Sequence, residues 1–342
     1  MFERYPWHES VWQQLLARIK SGMLPHALLL TGGSGIGKRD FAVQLAQLLL
    51  CESFQAGPGA GENPLPCGRC QACALNKAMT HPDFKLVEPE SEGKIISIDQ
   101  IRDLGAFFGL KSHYGLGQIA VVYPAEKMNK FAANSLLKTL EEPTPSSLIL
   151  LVTSQPSALL PTIRSRCQLV AFEQPPLDAT VSWLKSNTSS DEANIKTMLH
   201  LASGGPLQAL NYLKNNTREL MEGLLESFVT LTLGKADPVT VAKAWAETDV
   251  AALIKWLILW TSHMIRLKYG VQKPDNDPVG ESSLKNLAAT VDLVALFRFM
   301  DKLTETRRLL DSQANVQLLL EDLLITWLQL NPGNPLSATN RA

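Results

Sequence analysis

No sign of charge dominates this chain: 32 lysines and arginines stand against 33 aspartates and glutamates. So even a balance creates no global field that would steer the molecule to nucleic acid or to an anionic membrane. Long apolar runs are missing too. The longest strongly apolar stretch free of charge, Trp256 to Ile265, is too short to span a bilayer. The uncharged stretch from Pro143 to Ile163 is broken by four prolines and several Ser and Thr. The opening residues, Met1-Phe2-Glu3-Arg4-Tyr5-Pro6-Trp7, carry no apolar core of an export signal. A soluble, cytoplasmic protein without membrane contact is therefore expected. No repeat or low-complexity tract is present. What remains is 342 residues, 45 % of them hydrophobic, enough for two or three domains with proper cores.

One nucleotide motif is present but incomplete. Gly32, four residues, Gly37 and Lys38 fit the phosphate-binding loop G-x-x-x-x-G-K-[ST], yet Arg39 stands where Ser or Thr belongs. Such glycines let backbone N–H groups curl around phosphates at a helix N-terminus, with the lysine reaching the β/γ oxygens. The missing hydroxyl is the one that holds Mg²⁺, and a cation in its place repels the metal. The context is right for a strand–loop–helix unit. An apolar run, Ala27 to Leu30, precedes the loop, and Phe41, Leu45, Leu48 and Leu49 share one helical face after it.

Cysteine is scarce but clustered: of five, Cys51, Cys67, Cys70 and Cys73 give C-x15-C-x2-C-x2-C. Four thiolates make a closed tetrahedral zinc site, structural because no ligand position stays open. Gln55 to Pro66 is rich in Gly and Pro and could not bury a core, so a metal would have to organise it. The competing readings are a disulfide pair, which the absence of an export signal disfavours; an iron–sulfur site, whose following Cys-Pro is absent; and free thiols.

The first 170 or so residues alternate strand-like and helical patterns, as a parallel α/β sheet requires. Strands are predicted at Ala27–Leu30, Phe84–Val87, Gln118–Val122, Leu148–Thr153 and Gln168–Ala171. Asp99 reads as the N-cap of a helix through Gly105. A second helix runs from Asn129 to Leu140 and stops before Pro143. Phe172-Glu173-Gln174-Pro175-Pro176 is a linker. Short amphipathic helices follow from Asp178 to Leu213, interrupted at Gly204-Gly205-Pro206. The remainder is helical, with stripes Leu220, Leu224, Leu225, Phe228 and Leu253, Trp256, Leu257, Trp260, a loop over 273–281, and a final amphipathic segment Val316–Leu330.

These residues together resemble the delta-prime subunits of bacterial DNA polymerase III clamp loaders, relatives of the AAA+ ATPases, over essentially the whole length. The resemblance rests on Leu24-Pro25-His26-Ala27 before the phosphate loop and the cysteine insertion followed by His81-Pro82-Asp83. It extends to Ile98-Asp99-Gln100-Ile101-Arg102, Asn134-Ser135 with Leu136-Leu137-Lys138-Thr139-Leu140-Glu141-Glu142-Pro143, Ser165-Arg166-Cys167, and Asn315 to Leu324. It implies an AAA+-like P-loop domain over 1–174 with a zinc module at about 51–80. A small helical lid domain over 175–213, an all-α oligomerisation collar over 214–334 and a tail over 335–342 would follow.

The resemblance also implies losses. Active relatives end the strand before the Asn129–Leu140 helix in Asp-Glu; here those positions are Tyr123 and Pro124, with Glu126 two residues beyond. The second-domain sensor arginine falls on Leu207. Gly32, Gly37 and Lys38 would then form a vestigial phosphate loop, with ATP and Mg²⁺ not hydrolysed by this chain. Arg166 matches the family's arginine finger, acting in trans on a neighbouring gamma or tau ATPase; Arg164 is its closest rival. Cys167 reads as a small apolar residue. Implied partners are the delta and gamma/tau subunits and, through the assembly, the sliding clamp and primed DNA within a DNA-directed DNA polymerase holoenzyme. Two other functions stay open at this point: a working P-loop ATPase, and a zinc-dependent DNA-binding module. For the latter the cysteine segment offers only Arg69 and Lys77 as nearby cations.

Overall fold

The computed structural model describes residues 4–55, 64–91, 93–115, 117–270, 281–310 and 314–330. The chain divides into two compact units, residues 1–182 with 203–208, and residues 183–202 with 209–342.

The first unit is built on five strands: β1 (Ala27–Thr31), β2 (Phe84–Val87), β3 (Gln118–Val122), β4 (Ser147–Val152) and β5 (Gln168–Ala171). All pair in parallel, in the order β2-β3-β4-β1-β5. β1, β3 and β4 are buried along their whole length, which is why they read as continuous apolar runs rather than alternating ones. Successive residues face opposite cores. Leu28 and Leu30 join Trp12, Phe41, Leu45 and Phe172 on one side. Ala27 and Leu29 join Leu104, Leu136, Leu140 and Ile163 on the other. This is the parallel α/β sheet that the sequence implied, and its five strands lie where predicted, β4 sitting one residue earlier.

One helix boundary is corrected. The helix predicted from Asp99 spans Ile98–Phe108, and its N-cap is Ser97. Gln100 N–H donates to Ser97 Oγ, and the Gln100 side chain accepts from Ser97 N–H at 2.9 Å. This reciprocal capping box satisfies two otherwise orphan donors, which Asp99 alone could not do. The Lys130–Glu141 helix starts as predicted, with Asn129 Oδ1 accepting from Ala132 N–H at 2.7 Å.

The second unit is helical. Pro238–Ala246, Val250–Lys268 and Leu293–Leu309 each begin after an aspartate N-cap, Asp237, Asp249 and Asp292. Its core is aromatic: Trp327 lies 4.8 Å from Phe228 and 4.6 Å from Phe299 between ring centroids. Trp327 Nε1 donates to Thr232 Oγ1 and Trp245 Nε1 to Ser227 Oγ, so these two buried indoles keep their hydrogen bonds, whereas Trp256 Nε1 and Trp260 Nε1 are buried without one among the described residues. Val250–Lys268 is long and apolar enough, by length and composition, to cross a membrane, but half of it is buried. Leu253, Trp256, Leu257 and Trp260 all point into the core. In the neighbouring stripe Leu224, Leu225 and Phe228 are buried while Leu220 is 45 % exposed; Met221 takes the inward position instead. Of the predicted loop over 273–281, residues 273–280 lie outside the described residues, and Glu281 opens the Glu281–Thr290 helix. The predicted tail over 335–342 also lies outside them.

Candidate functional site

The phosphate loop runs from β1 into the Lys38–Leu49 helix. Its glycines are demanded by close approach as much as by conformation. Gly37 is left-handed (φ 86°), and a Cβ there would meet the Tyr5 ring at 2.5 Å. A Cβ on Gly32 (φ 146°) would meet the Phe172 carbonyl oxygen at 2.6 Å. The surroundings of the loop are therefore protein. Tyr5 stacks on Trp7 and donates its hydroxyl to Asp40. Trp7 Nε1 and His8 Nε2 both reach the Ile36 carbonyl, at 2.9 and 2.7 Å.

Lys38 is 4 % exposed and its ammonium is fully occupied. It donates to the carbonyls of Gly32 (2.9 Å) and Gly33 (2.5 Å) and to Ser154 Oγ (3.0 Å). An ammonium has three donors, and all three are spent on the protein. Burial pulls its pKa down to about 8, against the opposing charge of Glu126. Arg39 is equally committed: its Nε and Nη2 grip both oxygens of Glu88, at 2.5 and 2.9 Å. This bidentate pair raises its pKa. Tyr123 lines the same small cavity of about 240 Å³, with Ser34, Lys38, Arg39 and Leu207. That volume falls below the roughly 300 Å³ from which small-molecule sites begin. Burial raises the Tyr123 pKa, so it stays a neutral phenol. Glu126 accepts from Ser154 N–H at 3.1 Å, and its charge acts on both Lys38 and Tyr123. Leu207 reaches the loop by donating its N–H to the Gly35 carbonyl at 2.9 Å, so an apolar side chain occupies the place counted for a sensor arginine.

His8 carries a measurable consequence. It is 1 % exposed, and burial lowers its pKa to about 4 from an ordinary 6.5. It folds neutral and must charge when the chain unfolds in acid. The stability it contributes is complete above about pH 6.5 and is lost as pH falls towards 4. We expect unfolding free energy from urea titration to drop by about 2 kcal/mol between pH 7 and pH 5 on this account. His8→Gln should flatten that part of the slope; an unchanged slope would show that other groups carry it.

The four cysteine sulfurs lie within 4.8 Å of one another. Cys51 Sγ is 4.0 Å from Cys70 Sγ, and Cys67 Sγ is 3.9 Å from Cys73 Sγ. A tetrahedron with Zn–S bonds of about 2.3 Å has sulfurs about 3.8 Å apart, whereas a disulfide needs about 2.05 Å. Backbone N–H groups of Cys67, Cys70 and Cys73 donate to the sulfurs of Cys51, Cys67 and Cys70, each at 3.4 Å. Hydrogen bonds, first from Ser53 and then from Arg69 and Cys70 N–H, pull the Cys67 thiol down to about 5. This donor set fits a metal ion. Residues 56–63, which the four cysteines bracket in part, lie outside the described residues.

Arg166 stands apart, exposed, after the short Pro161–Arg164 helix. Its guanidinium pairs with Glu141 (Nη2–Oε1 2.7 Å) and donates from Nη1 to the Thr162 carbonyl at 3.1 Å. Arg164 is exposed as well, and among the described residues its side chain makes no ion pair or hydrogen bond. Cys167 packs against the sheet core, where burial raises its thiol to about 11.

Glu88, Ser154 and Tyr5 matter here and escape motif reading, while Glu141 lies within a family string that gave it no role. A signal exists for the first two. Each directly follows, or nearly follows, the C-terminal end of a parallel strand, β2 and β4, and that edge is where α/β sheets build their sites.

The family described as "DNA polymerase III, delta subunit" matches residues 7–176, and "DNA polymerase III, delta subunit, C terminal" matches residues 209–329. The DNA polymerase III subunit delta' of Pseudomonas aeruginosa is 35 % identical over 340 residues, covering 97 % of this chain and 99 % of that one. The subunit of the same name from Escherichia coli K12 is 27 % identical over 323 residues, 94 % of each chain. A solved DNA polymerase III gamma subunit-related protein from Thermotoga maritima is 19 % identical, with a TM-score of 0.46, over 93 % of this chain and 99 % of that one.

Proposed function

This chain belongs to the DNA polymerase III delta-prime family, and from that premise we propose that it is a clamp-loader subunit that turns over no ATP of its own. It serves the assembly by presenting Arg166 to the ATP site of a neighbouring gamma or tau subunit. The observation that carries this reading is the state of the phosphate loop. Lys38 is consumed by Gly32, Gly33 and Ser154, and Arg39 by Glu88. Phosphoryl transfer is catalysed almost entirely by positioning and charge stabilisation. Here the hydroxyl for Mg²⁺, the acidic pair at Tyr123 and Pro124, and the sensor arginine at Leu207 are all replaced. What is left is a loop that holds the domain together.

Arg166 supports the other half. It is an exposed arginine on the rim of the first unit, and arginine keeps its charge and offers a planar fork to two phosphate oxygens. The helices of residues 214–334 form the collar that joins delta and gamma/tau neighbours, so that the ring opens the sliding clamp and sets it on primed DNA. Cys51, Cys67, Cys70 and Cys73 hold a structural zinc ion that orders the segment between the Lys38–Leu49 helix and β2. The lid is taken as 175–213 and the collar as 214–334.

The test is ATP hydrolysis by the isolated wild-type chain, with and without primed DNA. The rate is expected to stay at the uncatalysed background. Turnover that Lys38→Ala abolishes would overturn this reading and restore the chain as an ATPase in its own right.

A further inference from the structure

Arg166 does not hang free, and the residue that holds it is part of a neighbouring helix. Glu141 is the last residue of Lys130–Glu141, and Thr162 lies in Pro161–Arg164. The two helices pack against each other. Their anchors, Leu140 and Ile163, are 2 % and 0 % exposed and belong to one core beneath the sheet. Each residue that touches the Arg166 guanidinium is therefore the immediate chain neighbour of a buried anchor. Glu141 Oε1 takes Nη2 at 2.7 Å, and the Thr162 carbonyl takes Nη1 at 3.1 Å.

We infer that Glu141 is a positioning residue for Arg166: with the Thr162 carbonyl, it holds the guanidinium aimed outward from the subunit, ready to meet an anionic phosphate of a bound neighbour. The inference rests on the trans-finger reading of Arg166. The donor arithmetic allows it. A guanidinium has five N–H donors; two are used here, and three remain for a ligand. The entropy argument favours it. An unheld surface arginine would give up side-chain freedom at each encounter, whereas one already oriented gives up less. Arg164 marks the contrast. It lies two residues away and is exposed, but has no such partner among the described residues.

The pair is half in water, with side chains 37 % and 49 % exposed, so its effect is bounded by that of a surface ion pair. In single-turnover hydrolysis by the reconstituted clamp loader with primed DNA, Glu141→Ala should slow the phase of the one site that Arg166 serves threefold to fivefold, with the ATP concentration at half saturation unchanged. Glu141→Gln keeps an acceptor oxygen at the same reach and should recover at least half of the loss. It also carries the test if the alanine variant assembles poorly by size-exclusion chromatography. In an Arg166→Ala background, Glu141→Ala should have no further effect, because nothing is left to position. Three results overturn the inference: an unchanged rate at that site in both Glu141 variants, a rate that rises because Glu141 was restraining Arg166, or the same factor lost in the Arg166→Ala background. Failure of the underlying reading looks different, since Arg166→Ala alone would then leave hydrolysis unaltered.

Discussion

Arg166→Ala is expected to slow hydrolysis at the single ATP site that this chain serves by on the order of 10³-fold or more, the range that arginine fingers supply in phosphoryl transfer. The loss falls in the chemical step. As charge spreads over the transferring oxygens, a fixed guanidinium is worth far more in a water-poor interface than in bulk solvent. Single-turnover hydrolysis by the reconstituted ring reads this directly: the fast phase should lose the amplitude of one site while the others continue. The ring should still assemble, because the substitution removes only a half-exposed ion pair with Glu141 and one bond to a backbone carbonyl. Arg166→Lys should not restore the phase, since an ammonium cannot grip two oxygens as a planar fork does. A full-amplitude fast phase in Arg166→Ala would sink the trans-finger reading. Transfer of the defect to Arg164→Ala would move the finger to that residue.

The second large effect concerns the cysteines. The chain is expected to carry one zinc ion, and Cys70→Ser to lose it along with the fold of the segment around residues 51–80. Structural zinc sites contribute on the order of 10 kcal/mol or more of apparent binding free energy at neutral pH, and little else is present here to replace it. Cys70 is central to the cluster: its sulfur accepts from Cys73 N–H and caps the Gln71–Lys77 helix. Elemental analysis gives the stoichiometry, and thermal unfolding with and without a chelator gives the consequence. The parallel sheet has cores on both faces, so it should survive as a separate, later transition. Because the ligands are thiolates, metal loss should also grow as pH falls. A purified chain free of zinc, or a Cys70→Ser variant that keeps its metal and its melting curve, would rule this out.

Much of the chain's architecture is legible in its order of residues. The parallel strands appear as unbroken apolar runs because both faces of the sheet are covered. The helices appear as stripes begun by Asn129, Asp237, Asp249 or Asp292, because a cap acts on the backbone within three residues of itself. The only cap named from sequence, Asp99, proves to be Ser97, and it shows the limit. Two candidate oxygens stood close together, and only the reciprocal bond with Gln100 selects between them. Leu220 and Met221 show the same limit on a helix face, where a rotation of one residue decides which side chain is buried.

The candidate sites divide in the same way. Spacing along one stretch of chain determined that four cysteines could share one ion, that Arg39 displaces a hydroxyl, and that Arg166 follows a serine in a family motif. Those are properties of neighbours along the chain. Whether the phosphate loop is open or filled depends on residues far away in sequence. Lys38 meets Ser154, 116 positions on; Arg39 meets Glu88, 49 positions on; Tyr5 lies over Gly37 from the other side. The hold of Glu141 on Arg166 is of the same kind. No local pattern encodes such pairs, because they arise only when the sheet brings the ends of separate strands and helices to one edge. The sequence by itself thus determined which chemical groups this protein has, and the tertiary structure decided which of them are already spent on each other and which stay available to a partner.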